Sequence, residues 1–406
     1  MRVWNSRNSQ LATRNSQMRR INLIIFVLFL LVAAAVVGSQ YIFKWSRGSF
    51  INPEPPINIS MLYSSELRKW LEPAADAFNS QNHKVGGQTV HVDLEVMDDG
   101  DAMQNIVNGN RKPTAWIPAS TTWVNLLNNQ WRANHQSDLI LRSGEYGTAP
   151  LALTPMVFVM FKERADALTK NGRQVDWNEI QKAITTPGGW KDLGGNPDWG
   201  GVKYGQTNPS TSNAGLLALA LATYSYFNKT SGLTTGDLDN PDYNKWIDGL
   251  ASGLVADAPP TAEQQMDDML RYGPSRYDVV SIYENLVAQQ IKNAPQRFEE
   301  LRVFYPHINI WSDHPFSILV SEDSSAEQKD AALLFEKYLY SPPVQQQALN
   351  VGFRPANPDV PLITNDPNNP FNLYKSQGLQ LNIPRTVLAD TPSGDVLNRL
   401  QDTLGR

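Results

Sequence analysis

Five histidines, at 83, 91, 135, 307 and 314, are the residues best suited to acid–base or metal chemistry, and no two of them have ligand spacing such as i, i+4. The chain holds no cysteine, which removes thiolate nucleophiles, thiolate zinc sites and disulfides together. No G-x-S-x-G elbow, no G-x-x-x-x-G-K-[ST] phosphate loop and no strand-borne G-x-G-x-x-G occurs. His314 beside Asp313 is a weak ligand candidate, and no pair of carboxylates stands out for hydrolysis. The residues therefore point away from covalent catalysis, with no cofactor and no catalytic or metal-ligating set expected.

What recurs is a polar turn ahead of a helix. Ser64-Ser65 opens one helix, Asp99-Gly100-Asp101 a second, Ser120-Thr121-Thr122 a third and Ser210 to Gly215 a fourth. A helix N-terminus presents free N–H donors and a partial positive charge, and hydroxyl side chains add donors without adding charge. Several such termini meeting in a cleft make a site for a small polar ligand; each taken alone is also explained by ordinary capping.

The elements that would position these turns follow an α/β rhythm. Ile57–Tyr63 reads as a strand, and Leu67, Trp70, Leu71, Ala74 and Phe78 lie at helical spacing, with Pro73 predicting a kink. Val90, Val92, Leu94 and Val96 alternate with His91, Asp93 and Glu95 as a half-buried strand, with a helix over about 101–107 behind it. Leu151–Phe161 and Val279–Tyr283 read as buried strands, and 214–226 as a helix of small and apolar residues. Phe316–Val320 precedes a helix through Ala331, Phe335 and Leu339 that stops at Ser341-Pro342-Pro343. Strands alternating with helices predict open, mostly parallel α/β sheets.

The N-terminus is of another kind. Residues 1–20 carry Arg2, Arg7, Arg14, Arg19 and Arg20 and no acid, and from Leu23 the chain reads LIIFVLFLLVAAAVVG. As a helix, Leu23–Phe43 would span roughly the 30 Å of a bilayer's hydrocarbon. The arginines place 1–20 in the cytoplasm, and Tyr41 and Trp45 fall where interfacial aromatics belong. The expectation is a transmembrane anchor over 21–43, a proline-bearing linker over 44–56 and an extracytoplasmic remainder; a cleaved signal peptide is the alternative, since the alanines at 33–35 also suit cleavage. Without cysteine, no lipid can be attached at an N-terminal Cys, so the segment itself would be the tether. The remaining composition, 41% hydrophobic and 18% charged with a formal charge of −5, suits a large packed core and gives no reason to seek nucleic acid.

The order of these stretches resembles the type 2 periplasmic binding proteins of ABC transporters. ISMLYSSELRKWLEPAADAFN is similar to that family's first strand, serine turn and helix, and GDAMQNIVNG to its second helix. PTAWIPASTTWVNLLN resembles the next strand and turn, and VDWNEIQKAI with KYGQTNPSTSNAGLLALAL the entry and ligand loop of the second lobe. VVSIYENL resembles the strand that ends at a ligand-facing tyrosine; YPHINIWSDHPFSILV and AALLFEKYLYSPPVQQQALNVGFRP resemble the return crossover and closing helix. The resemblance covers about 57–356.

It implies two α/β lobes closing on a ligand, with the first lobe over 57–157 and again over 304–406, where a C-terminal extension is added, and the second over 158–303. By likeness to the molybdate and sulfate subgroup, Ser65, Ser212, Ala214 and Tyr283 face the ligand; Ser64, Asp99, Asp101, Ser120, Thr121, Thr211, Asn213 and Glu284 complete the expected lining. One position departs: Pro118 stands where that subgroup has a serine, with Ser120 two residues on. A carboxylate ~4 Å from a bound dianion costs roughly 1–4 kcal/mol. Asp99, Asp101 and Glu284 thus favour a cation, amine or sugar over an oxyanion, with Trp116, Trp123 and Trp311 as candidate stacking faces. The implied function is solute capture for an ABC permease by a single-pass membrane protein. An anchored sensor or assembly partner of the same fold is the alternative, and an exported hydrolase a third reading.

Overall fold

The alternation of INISMLY makes a strand with two differently buried faces, and the computed structural model shows what each face meets. It describes residues 27–39, 55–170, 174–294 and 297–403. Residues 1–55 and 56–406 form two separate units. In the first, residues 27–39 are helical with most side chains exposed, Leu28 at 55% and Phe29 at 68%. Among the described residues no helix is long and apolar enough to cross a membrane. The basic 1–20 stretch, the flanks of the expected 21–43 span and the linker up to Glu54 lie outside the described residues.

The second unit opens with three strand–helix pairs: β1 (Ile57–Tyr63) and α1 (Arg68–Ser80), β2 (Gln88–Val96) and α2 (Asp99–Val107), β3 (Ala115–Ile117) and α3 (Thr121–Trp131). A long strand β4 (Ala152–Phe161) follows, then β5 (Tyr204–Gly205), α4 (Asn213–Phe227), α5 (Ala262–Tyr272), β6 (Val279–Tyr283), α6 (Glu284–Gln290) and β7 (Leu301–Phe304). The chain ends through β8 (Trp311–Ser312), β9 (Pro315–Ile318), α7 (Ala326–Leu339), α8 (Pro342–Asn350) and α9 (Gly394–Thr403). Helix α1 runs through Pro73.

Two six-stranded sheets divide these elements. The first has the order 84–85, β2, β1, β3, β9, 149–150; the second runs β8, β4, β6, β5, with β7 and 354–355 also paired to β4. In the first, β1 lies parallel to β2 from Ile57↔Val90 to Tyr63↔Val96 and parallel to β3 at Met61↔Ala115. The expectation of mostly parallel sheets is corrected here. Strand β9 joins β3 antiparallel, and β4 takes β6, β7, β8 and 354–355 all antiparallel. The cause is connectivity. Strands that cross between the sheets enter from the far end, and a buried run has the same apolar pattern in either direction.

Each sheet carries its own core. One face of β1 puts Ile59 and Met61 against Trp70, Phe78 and Phe335, while Leu62 on the other face meets Met103, Trp116 and Trp123. The second sheet packs Phe158 and Val280 with Trp177, Leu221 and Met266. Helix α4 (NAGLLALALATYSYF) is apolar all round and accordingly buried from Asn213 to Tyr224. The chain crosses between the lobes at 150–152, where Pro150 pairs with Pro315 and Ala152 with Pro355, and returns at 312–315. A third passage, at 354–355, leads the C-terminal stretch onto the second lobe, where Phe371 and Leu379 join its core.

Candidate functional site

The carboxyl ends of β1, β2 and β3 deliver three turns to one edge of the first lobe, and the loop before α4 and the end of β6 face them from the second. Ser64 caps the first turn; its N–H bonds Ile117 O at 3.1 Å, which aligns it with β3. Its hydroxyl lies 2.7 Å from Glu66 Oε2 and 3.3 Å from Asp99 Oδ2. One hydroxyl proton serves one acceptor, so it goes to Glu66. Asp99, 3% exposed, takes the Ala119 N–H at 3.0 Å on its other oxygen. Burial, then the neighbouring Glu66 charge, raise the Asp99 carboxyl well above its ordinary pKa. Asp98 beside it rises to about 6, from burial, then Asp101 and Glu66.

His314 completes this cluster. It is fully buried and holds a positive φ of 40°, a backbone state that histidine reaches more readily than most residues. Its Nδ1 lies 2.9 Å from Ala152 O, an acceptor only, so Nδ1 carries a proton. Its Nε2 lies 3.1 Å from Glu66 Oε1. Two lone pairs would repel at that distance, so a proton sits between them, on the imidazole or on the glutamate. The ring touches both crossovers, since His314 belongs to one and Ala152 to the other.

A second set of bonds runs from lobe to lobe. Ser120 Oγ donates to Asn213 Oδ1 at 2.6 Å, and Asn213 Nδ2 donates to Tyr283 Oη at 2.7 Å and Ser312 Oγ at 3.2 Å. Ser312 Oγ donates to Ala119 O at 2.6 Å, and Gly100 N–H to Thr211 O at 3.0 Å. A Cβ at Gly100 would meet Ser210 O at 2.4 Å, so this approach requires glycine. Thr121 gives its N–H and its hydroxyl to Asp313, at 2.7 and 2.5 Å. Burial, then Glu66 and Asp99, push the Tyr283 phenol well above its ordinary pKa.

Of the expected lining, Ser64, Asp99, Ser120, Thr121, Asn213 and Tyr283 come together in this seam, and Thr211 joins it through its carbonyl. Ser65 is buried in the first turn, Ser212 accepts from Thr207 Oγ1 at 2.9 Å, and Ala214 sits in the second lobe's core. Asp101 is exposed. Glu284 is held elsewhere: Arg354 Nε and Nη2 reach its two oxygens at 2.8 and 2.7 Å, and the Tyr305 hydroxyl donates to it. Trp116 and Trp123 are fully buried, and Trp311 stacks under the Arg354 guanidinium at 5.7 Å.

Glu66 and Ser312 are absent from the expected lining, and His314 enters it only weakly. Glu66 follows Ser64-Ser65 and looks like an ordinary first-turn acid bonded to Ser64; only the approach of His314 across the fold gives it a distant partner. Gln265 and Asn285 are fully buried and Gln289 nearly so, and the amide groups of all three have no hydrogen-bond partner. They belong to α5 and α6, which pack on each other, and α5 also packs on the Ser65–Leu67 turn. Among the described residues no group of three or more His, Asp or Glu could hold a metal ion.

Among curated protein sequences none matches this chain. Solved structures share its fold at low identity. The sulfate-binding protein SubI of Mycobacterium tuberculosis matches with a TM-score of 0.52 at 15% identity, covering 82% of this chain and 93% of its own. The periplasmic binding protein AfuA of Actinobacillus pleuropneumoniae, with fructose-6-phosphate bound, gives 0.57 at 14%, covering 85% and 97%. Iron-bound HitA of Pseudomonas aeruginosa gives 0.56 at 14%, covering 86% and 100%. The family model for bacterial extracellular solute-binding proteins matches residues 59–354, which take in both lobes and the first two passages between them and end at the third. This chain belongs to the bacterial extracellular solute-binding proteins.

Proposed function

We propose that the chain captures a small cationic or neutral polar solute between its lobes, on the outer side of a membrane to which the 21–43 segment tethers it, and hands it to an ABC permease. The observation that carries the ligand class is the pair of buried carboxylates, Glu66 and Asp99, on either side of Ser64. An oxyanion needs free donors. Here the Ala119 N–H and the Ser64 hydroxyl serve the chain's own acids, and Thr121 serves Asp313. Gln265, Asn285 and Gln289 add buried groups that both donate and accept, which suits an amine or a polyol. The tether reading is supported by the exposed apolar side chains of 27–39 and by the absence of cysteine for a lipid.

A thermal-shift panel on the full chain in detergent tests the ligand class, with sulfate and molybdate set against putrescine, arginine and glucose. A binding solute at ~100 Kd adds about 2.7 kcal/mol. The expected result is a shift with an amine or sugar and none with the two oxyanions; a sulfate or molybdate shift overturns the ligand class. The mass of the membrane-extracted protein tests the tether, because cleavage near Gly38 would remove about 4 kDa.

A second reading rests on the self-satisfied seam. A chain whose interlobe donors are already bonded to one another can act as a closed partner domain for another membrane protein, and no solute in the panel would then shift it.

A further inference from the structure

The chain continues well past the point at which the first lobe is complete, and its last helix returns to that lobe from the second. After the third passage, Phe371 and Leu379 are buried in the second lobe's core. Strand 387–388 pairs with 308–309, Asp390 N–H bonds Thr230 O at 2.7 Å, and Tyr224 Oη donates to Asp390 O at 2.8 Å. The stretch up to residue 390 is therefore fastened to the second lobe. Helix α9 then lies against α3 of the first lobe and α4 of the second.

Its buried side chains divide between them. Val396 and Leu400, one turn apart, enter the second lobe's core, while Leu397 packs with Trp116, Trp123 and Leu127 of the first. Gly394 allows the close approach to α3, because a Cβ there would stand 2.9 Å from the Asn129 Cβ. Gln401 Nε2 reaches Pro209 O at 3.2 Å on the loop ahead of α4. Helices α3 and α4 begin at the two residues joined by the Ser120–Asn213 bond, so α9 bridges the helices that meet at the seam.

We propose that α9 is a strap that holds the two lobes closed without a solute, so that solute exchange requires it to leave α3. Leu397, beside Leu216 of α4 in the first lobe's apolar cluster, supplies an apolar link that needs no solute. The solute then meets a protein whose open fraction is small, and its apparent dissociation constant rises by the inverse of that fraction. The inference rests on the two-lobed fold and holds for any solute.

The chain has no cysteine, so a disulfide can be introduced cleanly. A disulfide needs Cβ atoms ~3.5–4.5 Å apart, so Asn129→Cys with Gly394→Cys, once α9 backs off by about 1 Å, staples the first lobe to a segment already fastened to the second, and that shift is common to the oxidised and reduced forms. Hydrogen exchange on the full chain reads the seam at the Gly100 amide, which bonds across the lobes, against β6 as an internal reference. Oxidation is expected to slow Gly100 exchange by about tenfold relative to the reduced protein, and Leu397→Ser to speed it by about tenfold, with β6 unchanged in both. Equal Gly100 rates in the oxidised and reduced protein overturn the proposal. So does a Leu397→Ser chain in which α9 exchanges freely while Gly100 does not. If Leu397→Ser also exposes β6, the oxidised–reduced pair decides alone. No solute enters the experiment, so its failure is distinct from a failure of the ligand class.

Discussion

Glu284 and Glu66 are both buried acids on the turn after a strand, one in each lobe, and their partners differ in kind. Glu284 is met by Arg354 at 2.7 and 2.8 Å and by the Tyr305 hydroxyl, and Arg354 also donates to the carbonyls of Gln380 and Leu381 at 2.6 and 2.8 Å. Every oxygen and most donors are used, and a guanidinium has no neutral state to fall back on. This pair braces the third passage between the lobes. Glu66 instead faces His314, which can give up its proton, and lies near Asp99, a second acid. A brace fixes charge. The seam holds a proton between two groups, either of which can carry it.

The largest expected effect comes from breaking the brace. Glu284→Gln leaves Arg354 buried without its counter-charge and is expected to cost about 3–5 kcal/mol by chemical denaturation, whereas Glu66→Gln, whose histidine partner can go neutral, should cost far less. Equal losses in the two variants would erase the distinction. Next in size is the seam's central amide. Asn213→Ala strands Ser120, Tyr283 and Ser312 together and is expected to cost roughly 1–3 kcal/mol, with no change in the Glu284 cluster.

The smallest effect sharpens the comparison through pH and has the opposite sign. Asp98 and Asp99 have folded-state pKa values raised above those of the unfolded chain. Their contribution is therefore fully present below about pH 4, is lost for Asp98 as pH rises through about 6, and is lost for Asp99 as pH rises through its own raised pKa. Asp99→Asn should flatten this decline and raise the denaturation midpoint at neutral pH. An unchanged midpoint between pH 5 and 7 in both proteins would show that the seam carries no such cost.

The strands and most of the turns were legible in the sequence, because alternation in β1 and β2 and the polar helix starts are local signals. Ser64, Asp99, Ser120 and Asn213 stand out in the sequence for that reason, and the fold brings them to one seam. The direction of β4 and β9 was not legible, since a fully buried run such as LALTPMVFVMF has no polar face to mark which neighbours it takes. Glu66 and Glu284 look alike in sequence, each an acid in a first turn, and what separates them lies far along the chain at His314 and Arg354. The strap escaped for the same reason: Val396, Leu397 and Leu400 mark an apolar stripe, but nothing local says that the stripe is shared between two bodies.

Strand β9 has a consequence for how the chain is made. It completes the first sheet beside β3, yet it emerges about 200 residues after β3. At ~5–20 residues per second that is roughly 10–40 s during which Ala115–Ile117 is an apolar edge without its neighbour. The second sheet is drawn almost wholly from one continuous run and can close in the meantime. The first lobe's sheet is begun first but cannot be completed until most strands of the second have been made, and a newly made molecule has to be shielded from its own kind until Pro315–Ile318 arrives.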